Sequence, residues 1–391
     1  MNLIPSPNAG QPHSFSVINF DNDEILPRSG HRIVLDRHCL YSWGGYNADL
    51  WERENDEHTR FPLLRELLEF NFTTGKWRKL TTTGQCPEGL ASHTVIKINR
   101  HLLHLGGSGV PFGQSNSNAL FDLNLDTLEW KCILPEDQDN APRPKYGQAM
   151  VYVDGYLYVV GGTSGYMYDM DVNRLNLADL TWESLVPKSA HVPEERYRHE
   201  VVHFKDKLYM IGGGTALTAF PLNEIDSFDI VSHRWEKVLT KPYHRKSRPK
   251  GVYPSPRKCH SCHLVVDSMN QENADIYLIG GMSESKIEQY LWRLNLPSLQ
   301  WTMISPRLRL PVPVYFHASA ISSDGCLCIF GGVTKIDSER TNSLQTVWLT
   351  VPSLQAMSWH AVCTRLDKAA IMDNVQGLRE AGVPEQLLDF R

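Results

Sequence analysis

Leu208-Tyr209-Met210-Ile211-Gly212-Gly213 is a short unbroken apolar run closed by two glycines, and the same arrangement returns five more times along the 391 residues. The other doublets are Gly44-Gly45, Gly106-Gly107, Gly161-Gly162, Gly280-Gly281 and Gly331-Gly332. Five of the doublets are followed at a similar distance by a tryptophan: Trp77, Trp130, Trp182, Trp235 and Trp301. Runs such as Leu157-Tyr158-Val159-Val160 lack polar alternation, which suits strands covered on both faces. The glycines let the backbone pass close to a crowded axis without a Cβ. A period of about fifty residues marks units that cannot bury their own faces until neighbours stack against them.

Each run is preceded by a lead-in of Pro, then Arg or a substitute, then His or a small residue. The copies are Arg28-Ser29-Gly30-His31, Pro87-Glu88 to His93, Pro142 to Gln148, Pro193-Glu194-Glu195-Arg196-Tyr197-Arg198-His199, Pro256-Arg257-Lys258-Cys259-His260 and Pro313-Val314-Tyr315-Phe316-His317. Such a repeat is the signature of the kelch architecture, so an all-β, six-bladed kelch β-propeller is expected over residues 28–350, with a short C-terminal helical tail over 351–391. The tryptophans end the outer strands and bury large apolar areas between blades. The sixth repeat has no such strand, because the chain turns at Pro352 after Val347-Trp348-Leu349. An unpaired sheet edge is avoided in native proteins. Within the Pro-, Asn-, Gly- and Ser-rich N-terminal segment 1–27, residues 14–20 alternate as a strand does and are expected to close the ring.

A net charge of −5 argues against a nucleic-acid binder, for which a basic face would be expected. No apolar run approaches the roughly 18 residues that would cross a membrane. With no secretory signal and no spaced framework among the eight cysteines, a cytoplasmic or nuclear location is expected. Cys259-His260-Ser261-Cys262-His263 has a zinc-like spacing but no second ligand pair nearby, and it coincides with a lead-in. Phosphate-binding loops, nucleophile elbows and copper-ligand sets are also missing. No catalytic residue, metal or cofactor is expected. The basic stretch within 238–255 (Lys241, His244, Arg245, Lys246, Arg248, Lys250) reads as a solvated loop or an acidic-partner patch.

The lead-ins and the loops after the doublets should meet at one end of the channel. Lead-ins bring Ser29, Lys145, Tyr146, Arg196, Tyr197, Arg198, Arg257, Lys258, Tyr315 and Phe316; the loops bring Tyr46, Ser108, Thr163, Ser164, Thr215 and Ser283. Cations and aromatics at a channel mouth, on an otherwise acidic protein, suit an extended peptide with an anionic end. The competing reading gives Arg28, Arg196 and Arg257 a structural role, in salt bridges between blades or capping carbonyls. Arg198 and Lys258 are extra to the repeat and lean towards function.

Leu63-Leu64-Arg65-Glu66-Leu67, Gly109-Val110-Pro111-Phe112-Gly113-Gln114-Ser115-Asn116, Tyr146-Gly147-Gln148-Ala149-Met150 and the fourth and sixth lead-ins are not dictated by the repeat. From about Pro27 through the tail, the chain resembles the kelch-domain-containing protein 10 family. Those proteins are similar to the substrate receptors of cullin-2 RING ubiquitin ligases, whose propeller captures a degradation signal at a substrate's C-terminus. The resemblance implies a non-catalytic receptor that takes a small terminal residue, Gly or Ala. Its implied partners are elongin B, elongin C, cullin-2 and a RING-box protein. In the tail, Leu354, Ser358 and Val362 lie four apart, on one helical face, and match an elongin-binding box with Ser358 where Cys is usual. Val383, Pro384 and Leu387 match a cullin box, with Arg391 departing from its last slot. The alternative from another class is a kelch scaffold or regulator of a folded partner such as a phosphatase or actin, with the tail serving only for packing.

Overall fold

The computed structural model describes residues 15–18, 25–36, 38–49, 62–88, 91–245, 248–350 and 379–380. Six sheets form the blades of the ring, antiparallel except that blade two carries a short fifth strand, Thr83–Gly84, parallel to its outer strand. Their innermost strands are Arg32–Asp36, Thr94–Ile98, Ala149–Val153, Glu200–Phe204, Ser261–Val266 and Ala318–Ile321. In blade four the chain steps outward in simple order through Glu200–Phe204, Lys207–Ile211, Glu224–Asp229 and Arg234–Leu239. Blade six takes its outermost strand from the other end of the chain: Phe15–Ile18 runs antiparallel to Leu344–Trp348, with Phe15 opposite Val347 and Ile18 opposite Leu344. Both ends of the ring therefore share one sheet.

Apolar clusters fill all six spaces between blades. The tryptophan of each of the first five blades stands second in its outer strand rather than ending it, and packs into the cluster shared with the preceding blade, as Trp235 does with Val160, Val172 and Phe228. Blade six has no such tryptophan, and Phe15 of the closing strand joins that cluster instead. The buried Trp301 indole donates to the Leu222 carbonyl at 3.0 Å and to Thr240 Oγ1 at 3.1 Å, so its polar edge is satisfied. The basic stretch is a hairpin, Tyr243–Arg245 with Arg248–Val252, set beside the outer strand of blade five through the Lys241 to Gln300 bridge. Residues Leu354, Ser358, Val362, Val383, Pro384 and Leu387 lie outside the described residues.

Around the axis, one residue of each lead-in donates its amide to the same position of the preceding blade. The bonds run Gly30 to Phe316 (2.9 Å), Ser92 to Gly30 (2.9 Å), Gly147 to Ser92 (2.9 Å), Arg198 to Gly147 (2.7 Å), Cys259 to Arg198 (3.1 Å) and Phe316 to Cys259 (3.1 Å). All six residues have positive φ, from 54° at Phe316 to 65° at Gly30. Left-handed backbone costs a non-glycine residue roughly 1–2 kcal/mol, so the closed circle of bonds holds four side-chain-bearing residues in strain.

The doublets complete the same belt. The second glycine donates to the next lead-in: Gly107 to Lys145 (3.0 Å), Gly162 to Arg196 (3.0 Å), Gly213 to Arg257 (2.9 Å), Gly281 to Val314 (3.0 Å) and Gly332 to Arg28 (2.8 Å). A Cβ on the first glycine would strike the next blade's histidine ring, at 2.8 Å for Gly161 against His199 and 2.7 Å for Gly212 against His260. One on the second would strike its own blade's lead-in, as at Gly213, 2.6 Å from His199 Cβ.

Gly213→Ala combines φ of +80° with a Cβ 2.9 Å from the Tyr197 carbonyl as well, whereas Gly155→Ala has φ of +90° and open space around it. Gly213→Ala is expected to lower unfolding free energy by about 2–4 kcal/mol and Gly155→Ala by about 1 kcal/mol. Urea midpoints of the two variants check this, and equal losses would show that crowding at the doublet contributes nothing.

Candidate functional site at the channel mouth

Three lead-in arginines form one repeated device inside their own blades. Arg196 donates from Nε to the Glu194 carbonyl (3.1 Å), from Nη1 to the Gly212 carbonyl (3.5 Å) and from Nη2 to Asp226 Oδ2 (2.6 Å). Arg257 reaches the Ser255 carbonyl (3.0 Å), the Gly280 carbonyl (3.1 Å) and, across 3.7 Å, Glu288. Arg28 repeats the pattern with Leu26, Gly44 and Glu66. In blade three Lys145 stands in, with Nζ 2.7 Å from Asp171 Oδ1 and 3.3 Å from Asp169. All four cations are buried. Burial lowers the guanidinium of Arg257 to about 10 even against the opposing pull of Glu288. These groups clamp the lead-in to the doublet, and the salt bridges run within blades rather than between them.

Arg196, Arg257 and Lys145, expected on the binding rim, are thus framework groups, because a buried cation is held by the carboxylate that compensates it. Lys258 is also committed. Its buried Nζ donates to the Thr215 carbonyl at 2.7 Å and the Ala216 carbonyl at 2.8 Å, fastening blade five to the loop of blade four.

Arg198 is different. It occupies the inner circle itself, at φ of 56°, and lines the cavity the circle encloses. The guanidinium carbon lies 4.2 Å from the centre of the Phe316 ring and 4.4 Å from that of Tyr197, a two-sided cation–π contact. Nη1 is 3.9 Å from Cys259 Sγ, and the buried Nε has no hydrogen-bond partner. Among the described residues no carboxylate pairs with Arg198. Tyr197 in turn contacts Tyr146 (6.1 Å between ring centres) and Tyr168 (5.2 Å), and Phe112 packs against Tyr146 in a tilted contact at 4.8 Å. Burial pushes the Tyr197 phenol up to about 12 and raises that of Tyr146, so both remain neutral hydroxyls.

On the opposite rim, Ser29 and Tyr46 are joined by a backbone bridge and by Arg340, whose Nε donates to Ser29 Oγ at 3.1 Å and whose guanidinium covers the Tyr46 ring at 4.9 Å. Arg340 escaped the sequence reading because it lies late in the loop after the sixth doublet, where the repeat imposes no pattern. The buried Tyr315 accepts the Asp337 amide at 3.2 Å and holds that loop.

Beneath the mouth the channel narrows to a cavity of about 40 Å³, lined by His31, Arg32, Gln148, Arg198, Glu200 and His260 among others. That is room for a few waters. Arg32 of blade one and Glu200 of blade four approach to 3.7 Å across it, and Arg32 Nε donates to the His93 carbonyl at 2.9 Å. Burial drives His31, His199, His260 and His317 far below the usual range, to about 3 at His199 and at His317, so these rings are neutral. Cys259 and Cys262 are buried thiols raised by burial, and His263 pairs with Ser319 at 2.7 Å. Among the described residues no three metal-ligating side chains cluster at metal-binding distance.

Residues 11–213 match the family model described as the KLHDC2/KLHL20/DRC7 Kelch-repeats domain, and residues 157–347 match that of the Attractin/LZTR1 beta-propeller. The chain is 37% identical over 365 residues to Kelch domain-containing protein 10 of Rattus norvegicus, covering 93% of this chain and 85% of the relative. The Homo sapiens protein of the same name is also 37% identical over 365 residues, across 79% of its length. The Kelch domain-containing protein 10 homolog of Drosophila melanogaster is 35% identical over 386 residues, 93% of this chain and 61% of that one.

The buried histidines give the propeller an acid-sensitive core. Their folded values lie below the unfolded value of about 6.5, so their contribution is complete above that pH and is lost as pH falls towards about 3 at His199 and His317. Each is expected to remove up to about 1.4 kcal/mol per pH unit below about 6.5. Melting temperature followed from about pH 7 to about pH 5 should fall steeply, and less so in His199→Gln, which copies Gln148. A flat profile would contradict the neutral assignment.

Proposed function

The chain belongs to the Kelch domain-containing protein 10 family, and from that membership and the geometry of the mouth we propose that it is a non-catalytic receptor for the C-terminal tails of other proteins. The observation that carries this reading is Arg198. It is a cation at the channel mouth, gripped on both faces by aromatics and matched by no carboxylate among the described residues. A guanidinium fork is the side chain best shaped for a carboxylate. With only about 40 Å³ of free volume beside Arg198, a small last residue, Gly or Ala, is the one this reading favours. Tyr146, Tyr197 and Phe316 supply rigid walls of the kind that concentrate binding energy. Ser29, Tyr46 and Arg340 face them from the far rim.

The resemblance of the tail supports the remainder of the role. Leu354, Ser358 and Val362 would engage the elongin B/C pair, and Val383, Pro384 and Leu387 would recruit cullin-2 with its RING-box protein. The receptor would then hold a captured protein beside a ubiquitin-charged enzyme, in cytoplasm or nucleus. Its contribution to rate is proximity alone.

Two measurements test the proposal. Peptides with a free or amidated C-terminus, titrated onto the purified protein, should differ by at least about tenfold in affinity, since each charge-assisted bond to Arg contributes about 1.5–3 kcal/mol. Arg198→Gln should abolish the difference while leaving the melting temperature close to the parent. Equal affinities for the two peptide forms in the parent protein would remove the tail-binding reading. Separately, Leu354→Ser should lose elongin B/C in co-purification with the propeller still folded. Unfolding instead would favour a tail that packs on the ring.

A further inference from the structure

Below Arg198 the channel contains a second pair of charges that no repeat position requires. Arg32 comes from the innermost strand of blade one and Glu200 from that of blade four, which stand opposite each other in the ring. Their contact at 3.7 Å is an ion pair without a hydrogen bond. The side chains keep relative exposures of 29% and 22%, and both face the cavity that Arg198 also lines. Burial raises the Glu200 carboxyl and the neighbouring Arg32 opposes that rise; with His31, His199, His260 and His317 neutral, the described charge-bearing groups lining the cavity are two guanidiniums and this carboxylate.

We propose that Glu200 is a resident counter-anion of the tail-binding mouth, which through its pairing with Arg32 limits how tightly an anionic chain end is held above it. The inference rests on the tail-binding reading. Glu200 follows Arg198 by two residues, at the start of the innermost strand of blade four, and both line the same cavity, so a carboxylate seated on Arg198 lies within reach of the Glu200 charge. At that range, and at the effective dielectric of a partly buried site, two like charges repel strongly enough to change affinity by tenfold or more. Arg32 offsets part of this. Glu200 acts as a positioning and tuning residue rather than a contact to the ligand. Its presence stops the mouth from becoming a general anion trap, because only a ligand with further contacts to the aromatic walls overcomes the repulsion.

The test is titration of one tail peptide, free and amidated, onto Glu200→Gln, Arg32→Gln and the double variant, with melting curves for each. Glu200→Gln should tighten the free-tail peptide by about tenfold, Arg32→Gln should weaken it by a similar factor, and the double variant should return to within about threefold of the parent. The amidated peptide should respond to none of them. A purely structural pair would move both singles in the same direction, which overturns the proposal, as does a folded Glu200→Gln with unchanged affinity. If Glu200→Gln unfolds, Arg32→Gln decides: unchanged free-tail binding overturns the proposal, and weakened binding confined to the free tail upholds it. Failure is separable from failure of the underlying reading. A parent protein that prefers the free tail while Glu200→Gln leaves it unchanged sinks only the counter-anion, whereas a parent with no such preference sinks both.

Discussion

A closed circle of six backbone hydrogen bonds, one from each blade to the blade before it, is the constraint on which the rest of this structure depends. A ring of this kind works only if every member turns its amide and carbonyl tangentially, and the left-handed backbone at Gly30, Ser92, Gly147, Arg198, Cys259 and Phe316 is the local result. The Gly-Gly doublets serve the same closure one layer out, since the belt brings two histidine side chains against the doublets of blades four, five and six where a Cβ would stand, with Gln148 in place of a histidine at blades two and three. The lead-in arginines then tie belt to blade through paired carbonyls and a carboxylate. Repeat, strain and glycine usage are three consequences of one geometry.

The same constraint places the candidate site. Of the six positions in the inner circle, blade four carries an arginine where blades one and three carry glycine, and that cation is projected over the axis between aromatics of blades four and six. The surrounding cations are spent on framework carboxylates or carbonyls, so a face that looks broadly basic in the sequence presents few cations with free capacity. What this leaves is one guanidinium held between aromatic rings, sharing its cavity with the Arg32 to Glu200 pair.

Much of the fold was legible because its signals are local. Apolar runs ending in two glycines, lead-ins ending mostly in histidine, and a tryptophan near the start of the outer strand in five blades are contiguous patterns, and each reports a short-range requirement of a buried strand or a close approach. The cluster at the mouth was only half legible. Tyr197, Arg198 and Tyr146 do come together, but in the sequence Lys258 and Arg198 looked alike, and Arg196 and Arg257 looked as available as either. Whether a cation is spent depends on the carboxylate opposite it: Asp226 lies 30 residues after Arg196, and Glu288 lies 31 after Arg257. No spacing rule links them.

By itself the amino-acid order determined the number of blades, the strand that each doublet closes, the tryptophans of the core and the residues that crowd one end of the axis. Those follow from periodicity and from the steric needs of glycine, which act over a few residues. Only the tertiary structure decided which of the crowded cations keeps an open valence, that Phe15 occupies the space a sixth tryptophan would fill, and that Arg32 meets Glu200 across the channel. These depend on residues 30 to more than 300 positions apart being brought within a few ångströms by closure of the ring, and their pairing is a property of the closed circle.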